Sequence, residues 1–327
     1  MKILWPHNFS PKIDEAGIFM KILADELRRQ GIKNDLLYLG DLRKPDHIIK
    51  ALLKLRKVHK EYDLIHAQYG SMCGFITALA CNNRKVLTLR GSDWHFIGWG
   101  HGKFSLHSFL ATNLTKMVLR KYDAIIPVSK KIKREVDQYN PKSNIYVLPD
   151  GVDMNKFVPR EKKLARSLLG LDHVNDYWIL FASVNLRNPI KRHRLAEASV
   201  RRANKLSSRR IIIRVANNIP HDKMPLFVSA CDLVLCTSIY EGWPNIIKEG
   251  LACNIPFVST DISDLREIAE IEESCVVCSA DADTIAENIV RVLSYGRSRD
   301  LRKYILDMDL KVIGQKLITI YDNILTP

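Results

Sequence analysis

The segment Tyr240-Glu241-Gly242-Trp243-Pro244-Asn245-Ile246-Ile247-Lys248-Glu249 places two carboxylates around a predicted helix start. Pro244 suits the first helical position, because the amide hydrogen that proline lacks would have no intrahelical partner there. Glu241 then lies in the preceding loop, and Glu249 lies about two turns into the helix at roughly 3.6 residues per turn. Both carboxylates can therefore point toward the same site as the unpaired N–H groups of the first turn.

The chemistry of this segment allows two interpretations. Carboxylates accept hydrogen bonds from ribose and hexose hydroxyls, and a helix N-terminus, which carries roughly half a positive charge, attracts phosphate. A sugar nucleotide would use both features. The spacing alone also fits a first-turn charge and a solvated helix face, and on its own it favours that second interpretation.

The wider context favours a sugar-nucleotide site, because it resembles the donor-site signature of glycosyltransferase family 4. The matching residues are Ser238, Glu241-Gly242, Pro244-Asn245, Glu249, Pro256 and Val258-Ser259-Thr260-Asp261. The resemblance implies a retaining glycosyltransferase with the GT-B fold, of the type that acts in bacterial polysaccharide biosynthesis and builds the cell envelope.

Segments with strand spacing and helix spacing alternate along the chain. Predicted strands include residues 2–5, 36–39, 64–66, 86–89, 124–128, 177–182 and 211–215, and predicted helices include residues 13–30, 47–60, 71–81, 130–138, 195–206, 281–293 and 310–325. Such alternation implies parallel sheets with helices on both faces and ligands beyond the carboxyl ends of the strands. The predicted fold class is α/β, and the resemblance specifies the GT-B architecture of two doubly wound, Rossmann-like domains facing each other across a cleft.

The length and the hinge motif predict two domains. The chain has 327 residues, 46% of them hydrophobic, which is enough for two cores of roughly 150 residues each. The segment Val147-Leu148-Pro149-Asp150-Gly151-Val152-Asp153 resembles the family's interdomain hinge. We predict an N-terminal acceptor-binding domain over residues 1–155 and a nucleotide-sugar-binding domain over residues 156–305. Residues 306–327 contain an apolar helical stripe, and the resemblance implies that this helix packs back on the first domain.

The composition limits the kinds of partner. The net charge is +14, so we expect an anionic partner such as phosphate groups, nucleic acid or an acidic membrane surface. No apolar run approaches the ~20 residues that span a bilayer, and the start of the chain is too soon interrupted for a secretory signal. We therefore expect a cytoplasmic protein. The seven cysteines are predicted to be reduced core residues, since most lie within apolar patterns.

Residues 44–60 combine apolar residues at helical spacing with many lysines and arginines. A basic amphipathic helix of this kind can lie on an anionic membrane surface. The same pattern fits an ordinary surface helix with a solvated basic face. Family members that act on lipid-linked acceptors at the cytoplasmic leaflet support the first interpretation, which would make the protein peripheral at the inner face of the cell membrane.

A strongly basic loop follows the predicted strand at residues 177–182. At this strand end the family places an Arg and a Lys that neutralise the donor diphosphate, and Arg187 and Lys191 match best, with Arg192 as the alternative. Departure of the leaving group concentrates negative charge on the diphosphate, which fixed cations and helix N–H groups can stabilise. The resemblance therefore implies catalytic roles for Arg187, Lys191 and Glu241.

The remaining predicted donor contacts come from several loops. The resemblance assigns Glu249 to the ribose hydroxyls and Glu241 to hydroxyls of the transferred sugar. It also implies that the loop after the first strand closes over the donor phosphates and that a loop near residue 219 holds the base. The further donor-binding residues are therefore Gly242, Trp243, Pro244, Asn245, Gly17 and Ile219.

The loop after the strand at residues 86–89 resembles the one that lines the acceptor side in the family. The family commonly has a histidine where this chain has Arg90, and a guanidinium cannot accept a proton at neutral pH. We therefore expect Arg90 to hold an anionic acceptor. Asp93 and His95 are catalytic candidates that would contact the acceptor hydroxyl, although a loop histidine also fits a structural role. His66, which follows another strand, is predicted to bind the acceptor.

The predicted function is hexosyl transfer with retention, from a nucleotide diphosphate sugar to a hydroxyl of a glycan or lipid-linked acceptor. We expect UDP rather than GDP in the donor, and no metal or other cofactor, because no Asp-x-Asp element lies at a predicted strand end. Two alternatives are a sugar-nucleotide epimerase of the same fold, which needs no acceptor, and a basic nucleic-acid-binding protein. Aromatic residues are not interleaved with the basic runs, so nucleic acid is not the expected partner.

Overall fold

A computed structural model of the protein describes residues 1–12, 16–95, 106–140, 144–171, 175–217, 219–297 and 299–326. The described strands are β1 (Lys2–His7), β2 (Lys33–Tyr38), β3 (Leu64–Ala67), β4 (Arg84–Leu89), β5 (Ala124–Pro127), β6 (Tyr177–Ala182), β7 (Ile211–Ala216), β8 (Leu233–Cys236), β9 (Phe257–Thr260) and β10 (Val276–Cys278). The described α-helices are α1 (Ile18–Arg29), α2 (Pro45–Val58), α3 (Ser71–Ala80), α4 (Leu106–Val118), α5 (Lys130–Tyr139), α6 (Lys162–Leu168), α7 (His193–Leu206), α8 (Met224–Ser229), α9 (Asn245–Ala252), α10 (Leu265–Ala269), α11 (Ala282–Ser294) and α12 (Leu310–Leu325).

The chain forms two compact units. The first contains Met1–Gly151 together with Leu310–Pro327, and the second contains Val152–Asp309. The division falls inside the segment predicted as the hinge, a few residues before the predicted boundary at residue 155. The last helix belongs to the first unit.

Each unit is built on a five-stranded parallel sheet. The strand order is β2-β1-β3-β4-β5 in the first unit and β10-β9-β8-β6-β7 in the second. In each sheet the direction in which successive strands are added reverses beside a central strand, and helices connect the successive parallel strands, as in doubly wound sheets. The predicted α/β fold class is therefore confirmed.

Side-chain caps explain where two helices begin. The Ser129 hydroxyl accepts a hydrogen bond from the Ile132 amide at the start of α5, and the Asp281 carboxylate accepts from the amides of Asp283 and Thr284 at the start of α11. Serine and aspartate are preferred at this position because their oxygens satisfy amides that have no intrahelical partner.

Two helices begin later than the sequence predicts. Helix α1 begins at Ile18 because Gly17, with φ +70°, takes the left-handed conformation at its N-cap. Helix α9 begins at Asn245, and Pro244 is its N-cap with an extended ψ of 116° rather than its first helical residue. The first-turn amides of α9 nevertheless follow directly after the proline.

The core of the first unit joins its sheet to the last helix. Helix α12 packs against α1 through buried apolar residues that include Ile313 and Leu317. Tyr321 is fully buried on the same helix, and its hydroxyl accepts a hydrogen bond from Trp5 Nε1 at 3.0 Å. The second unit has a core on each face of its sheet. Successive residues of β6 point to opposite faces, so that Trp178 belongs to one apolar cluster and Ile179 to another.

Candidate functional site

Three loops meet at the carboxyl ends of β6, β8 and β9 in the second unit. The Thr237 hydroxyl donates to the carbonyl oxygen of Lys191 at 2.8 Å, which joins the loop after β8 to the loop after β6. The Thr260 hydroxyl donates to the carbonyl oxygen of Ser238 at 2.6 Å, which joins β9 to the same loop. Both threonines are buried, so these loops are fixed relative to one another.

The structure brings Lys191 and Glu241 together at this edge of the sheet. Lys191 Nζ lies 2.5 Å from Glu241 Oε1, and the Ser238 hydroxyl donates to the same carboxylate oxygen at 2.7 Å. Burial opposes the charged ammonium, but the Glu241 carboxylate outweighs it and raises the pKa of Lys191. The site therefore holds a permanently charged ammonium beside a carboxylate.

Arg192 adds a second fixed cation. Its Nε donates to the carbonyl oxygen of Thr237 at 2.6 Å and its Nη2 donates to that of Ser238 at 2.8 Å. Its backbone is left-handed, with φ +50°, at the N-cap of α7. No carboxylate neutralises the guanidinium among the residues that the structure describes, so its charge is available to an anion.

Arg187 lies in the same loop as Lys191 but is exposed. Its amide donates to Asn185 Oδ1 at 2.9 Å, which shapes the turn. Within the described ranges its guanidinium makes no hydrogen bond or ion pair. The structure therefore does not bring Arg187 into the Lys191–Glu241 cluster, and its contact with a diphosphate stays a prediction.

The start of α9 presents polar groups that have no partner among the described residues. The side-chain oxygen of Asn245 is buried and accepts no hydrogen bond from the described residues. The amides of Asn245 and Ile246 likewise have no acceptor in the described part of the chain. Trp243 and Gly242 are buried just before the helix, where the Ser263 hydroxyl donates to the Gly242 carbonyl oxygen at 2.5 Å. Unpaired amides at a helix N-terminus attract anions.

Glu249 is half-buried on α9 and makes no hydrogen bond or ion pair with any described side chain. Burial raises the pKa of its carboxyl group to about 7, and the neighbouring Lys248 opposes this shift only in part. A carboxyl group without a partner in a partly apolar setting is a candidate ligand-binding group. Since α9 begins at Asn245, Glu249 lies about one turn into the helix at roughly 3.6 residues per turn, closer to the loop that holds Glu241 than the predicted two turns.

Ile219 lies after β7, at the same edge of the sheet as the other predicted donor residues. Its side chain is partly buried and packs against the core of the second unit. Asn218, which precedes it, lies outside the described residues. The position suits a wall for a nucleotide base, and that role stays a prediction.

In the first unit, Gly17 occupies a position that only glycine fits. A side-chain carbon there would meet the Phe9 ring at 2.8 Å, and the backbone has φ +70°. The preceding acids, Asp14 and Glu15, lie outside the described residues. The backbone conformation and the nearby Phe9 ring therefore require glycine at this position. The contact of Gly17 with the donor stays a prediction.

Arg90, which is predicted to hold the acceptor, makes several contacts within the first unit. Its guanidinium is largely buried and forms an ion pair with Asp150 through Nη1. Its Nε donates to the carbonyl oxygen of Gln68 at 3.0 Å, and the guanidinium lies 4.1 Å from the centre of the Phe19 ring. Its predicted contact with an anionic acceptor stays a prediction.

His66 and Asp93 are likewise held by contacts within the first unit, and their predicted roles toward the acceptor stay predictions. Both ring nitrogens of buried His66 are hydrogen-bonded, Nδ1 to the Tyr321 hydroxyl at 2.6 Å and Nε2 to the Thr88 hydroxyl at 2.7 Å. Burial lowers the pKa of His66 well below its usual value, so the ring is neutral. The carboxylate of Asp93 is also buried, and it accepts hydrogen bonds from three backbone amides. These are the amides of Gly70, Arg90 and Gly91.

His95 has a partner that no sequence pattern predicts. Its Nε2 lies 2.8 Å from Glu135 Oε2, and Trp94 Nε1 donates to the same oxygen at 2.8 Å. Burial would raise the pKa of Glu135, but the contacts from His95 and Trp94 hold it below its usual value. Glu135 comes from α5, more than a strand and a helix away in the chain, and no spacing rule links it to His95. The glycine-rich segment at residues 96–105 lies outside the described residues.

The described residues contain no group of three or more His, Cys, Asp or Glu side chains placed to hold a metal ion. No helix in the described ranges has the length and hydrophobicity to cross a bilayer. All seven cysteines are free, and burial raises the pKa of Cys275 to about 12, so that thiol is not reactive.

Two family models match the chain. The model described as Glycosyltransferase Family 4 matches residues 21–156, and the model described as Glycosyl transferases group 1 matches residues 189–295. The two matches cover most of both units, including Lys191, Glu241 and Glu249. The chain belongs to the glycosyltransferases.

Similar proteins agree with this assignment. This glycosyltransferase is 25% identical, over 75% of its chain, to TuaC of Bacillus subtilis, named as a glycosyltransferase of teichuronic acid biosynthesis; the match spans 65% of TuaC's length. Its fold is similar to that of sucrose-phosphate synthase from Thermosynechococcus elongatus, with a TM-score of 0.78 and 16% identity, covering 99% of this chain and 98% of that one. It is also similar to HepE from Anabaena, solved with UDP-glucose, with a TM-score of 0.72 and 17% identity, covering 99% of this chain and all of the other. These structures identify the fold as GT-B.

Proposed function

We propose that this glycosyltransferase moves a hexose from a nucleotide diphosphate sugar to a hydroxyl of a glycan or lipid-linked acceptor, with retention at the anomeric carbon and without a metal ion. The observation that carries the proposal is the grouping of fixed cations and unpartnered polar groups at the carboxyl edge of the second unit's sheet. Lys191 and Arg192 supply the cations, and Asn245 and Glu249 supply the unpartnered groups.

The charges of the site fit a diphosphate leaving group. As the bond between the sugar and the diphosphate breaks, negative charge grows on the phosphate oxygens. Lys191, Arg192 and the free amides of α9 can stabilise that charge without moving, because their hydrogen bonds already hold them. This supports a metal-independent mechanism, because the fixed cations can stabilise the negative charge that a divalent ion would otherwise stabilise.

The carboxylates fit the hydroxyls of the donor. Glu249 is proposed to accept hydrogen bonds from the ribose, because its carboxylate has no partner in the described residues. Glu241 is proposed to accept from hydroxyls of the transferred sugar once the donor draws part of the Lys191 charge toward the diphosphate. The retaining outcome rests on the family resemblance, and we assign no side chain as a nucleophile.

UDP is the proposed nucleoside diphosphate. Support comes from Anabaena HepE, whose structure was solved with UDP-glucose. Ile219 and the loop after β7 would lie along the base. The family models describe glycosyltransferases, and no observation favours the epimerase alternative.

Helix α2 supports an acceptor at an anionic membrane surface. Ile49 and Leu53 are 61% and 59% exposed and lie one turn apart on the helix. Lys50 lies beside them with 75% of its side chain exposed. An exposed apolar pair flanked by lysines binds interfaces by inserting the apolar groups while the lysines meet anionic headgroups. Replacing Ile49 and Leu53 together by serine should reduce sedimentation with phosphatidylglycerol vesicles and leave transfer to a water-soluble acceptor unchanged.

The test of the function is a two-step screen. Nucleotide sugars are first ranked by thermal stabilisation, because a donor at ~100 times its dissociation constant adds about 2.7 kcal/mol to the free energy of unfolding. The stabilising donor is then incubated with glycan and lipid-linked acceptors, and the anomeric configuration of the product is read by NMR. A retained configuration supports the proposal. Release of nucleotide diphosphate with an epimerised sugar and no acceptor would contradict it.

A further inference from the structure

A charged cavity lies in the second unit, at the opposite end of its strands from the candidate donor site. Its volume is about 560 Å³, which is within the range of small-molecule sites. Its wall includes Tyr177, the first residue of β6, and Asp232, the residue before β8. Because the strands are parallel, these residues mark the amino edge of the sheet.

The cavity is separate from the candidate donor site. Lys191 and Glu241 follow the carboxyl ends of β6 and β8, whereas the cavity touches the amino ends of the same two strands. β6 has six residues, so about 20 Å of strand lies between the two edges at roughly 3.3 Å per residue. One ligand cannot occupy both places.

The wall of the cavity carries an excess of positive charge. Four cationic side chains line it, against two acidic ones. The cations are Arg160, Lys162, Arg209 and Arg297, and the acids are Glu161 and Asp232. One of those acids is already paired with two cations. Asp232 accepts hydrogen bonds from Lys162 Nζ at 2.6 Å and from Nη2 of the buried Arg166 at 2.9 Å.

The remaining cations are held in place without an acidic partner. Arg297 Nη1 donates to the carbonyl oxygen of Ser229 at 2.8 Å, and burial lowers the pKa of this guanidinium. Arg209 stacks over the Tyr177 ring at 4.3 Å. Neither forms an ion pair with a described carboxylate. Arg209 is exposed, whereas Arg297 is partly buried. A partly buried charge normally has a counterion, which an anion in the cavity would supply.

We propose that this cavity binds a phosphomonoester, with the phosphate between Arg160, Arg209 and Arg297 and the organic part against Tyr177 and Tyr295. A phosphate dianion matches the excess of charge and the bidentate geometry of guanidinium groups. A bare phosphate would leave most of the volume unfilled, whereas a sugar phosphate or a nucleoside monophosphate fills it and can stack on the tyrosine rings. The site is independent of the transferase reaction, so its test requires only binding.

The test is titration calorimetry of the full chain with glucose 1-phosphate, adenosine monophosphate and inorganic phosphate. Each is measured with the wild type, with Arg160→Gln and Arg209→Gln, and with two controls. Arg202→Gln removes an exposed charge elsewhere in the same unit, and Lys191→Ala alters the donor site. Arg209→Lys keeps the charge, and thermal melts verify that each variant is folded.

The proposal predicts that at least one of the two esters binds more tightly than inorganic phosphate. Its dissociation constant should rise about tenfold in Arg160→Gln and in Arg209→Gln, should recover in part in Arg209→Lys, and should stay unchanged in Arg202→Gln and Lys191→Ala. The ester that binds identifies the sugar phosphate or the nucleotide. Absence of binding by both esters, or binding that is lost in Lys191→Ala but kept in Arg160→Gln, would overturn the proposal.

Discussion

The loop after β4 in the first unit and the loops after β6 and β8 in the second occupy equivalent places at the carboxyl edge of a parallel sheet, yet their polar groups differ in one respect. In the first unit, Arg90 and Asp93 are buried and have all their partners within the unit. In the second, Asn245 and Glu249 have polar atoms without a described partner. The two edges therefore differ in unsatisfied hydrogen-bonding capacity, and this difference favours the edge in the second unit as the candidate ligand site.

The largest expected effect is on catalysis in the second unit. Lys191→Ala removes a fixed cation from the proposed leaving group, so the turnover number for sugar transfer should fall about a hundredfold to a thousandfold. Steady-state kinetics with the identified donor measures this. Lys133→Ala is the matched control, because Lys133 forms a comparable pair with Asp137 at 2.5 Å on a surface helix, and its turnover should equal that of the wild type.

Retention of more than half the wild-type turnover in Lys191→Ala would show that the cation does not act on the leaving group. Arg192 would then be the next candidate, as the only other cation whose charge the described loops fix at this edge.

In the first unit the largest expected effect is on stability. Asp93→Ala removes the acceptor of three amides, two of them buried and that of Arg90 partly buried, so the free energy of unfolding should fall by about 3 kcal/mol. Urea denaturation followed by circular dichroism measures this. Asp137→Ala, which removes an exposed carboxylate, should change stability by under about 0.5 kcal/mol. Equal stability of the Asp93 and Asp137 variants would break the contrast between the two units.

A smaller effect on stability should depend on pH at Glu249. Its carboxyl pKa is about 7 in the folded protein, against an ordinary value of 4.5, so the folded state binds the proton more tightly than the unfolded state. The free energy of unfolding of the wild type, relative to that of a variant with a non-ionisable residue at this position, therefore falls as the pH rises from about 4.5 to 7 and stays low above pH 7. Glu249→Gln should match the wild type near pH 4.5 and exceed it at pH 8. Urea denaturation across this range checks the sign, and parallel profiles for the two proteins would mean that the carboxyl group is not perturbed.

The smallest expected effect is at Arg187. Its exposed guanidinium has no described partner, so Arg187→Ala should leave the melting temperature unchanged. If it reaches the diphosphate when the donor binds, the KM for the donor should rise about tenfold, on the scale of one charged hydrogen bond. An unchanged KM would remove Arg187 from the site and leave Lys191 and Arg192 as its cations.

The fold could be predicted from the sequence because it depends on local patterns. Alternating strand and helix periodicity predicted the α/β class, and the helix starts predicted at residues 130 and 281 lie within one residue of the observed starts of α5 and α11. The apolar stripe over residues 310–325 gave the last helix with its observed bounds. The start of α1 was wrong by several residues, because helix periodicity does not reveal that Gly17 takes a left-handed conformation.

The site was only partly predictable, because several of its contacts join residues that lie far apart in the chain. Glu241 and Glu249 lie in one motif with strong local spacing, Lys191 lies in the basic loop after β6, and the structure brings Lys191 and Glu241 into contact. The ion pair of Arg90 with Asp150 and the hydrogen bond of His66 to the last helix join residues far apart in the chain, and no spacing rule predicts them. The contact between His95 and Glu135 is of the same kind.

The most direct test of the central claim is the dissociation constant of UDP, measured by titration calorimetry for the wild type, Glu249→Ala and Glu287→Ala. Glu287 is an exposed glutamate on α11 of the same unit and serves as the matched control. If the unpartnered carboxylate of Glu249 binds the ribose, its removal should weaken UDP binding at least tenfold, while Glu287→Ala should bind as the wild type does. Equal dissociation constants for the wild type and Glu249→Ala would contradict the assignment of this edge of the sheet as the donor site.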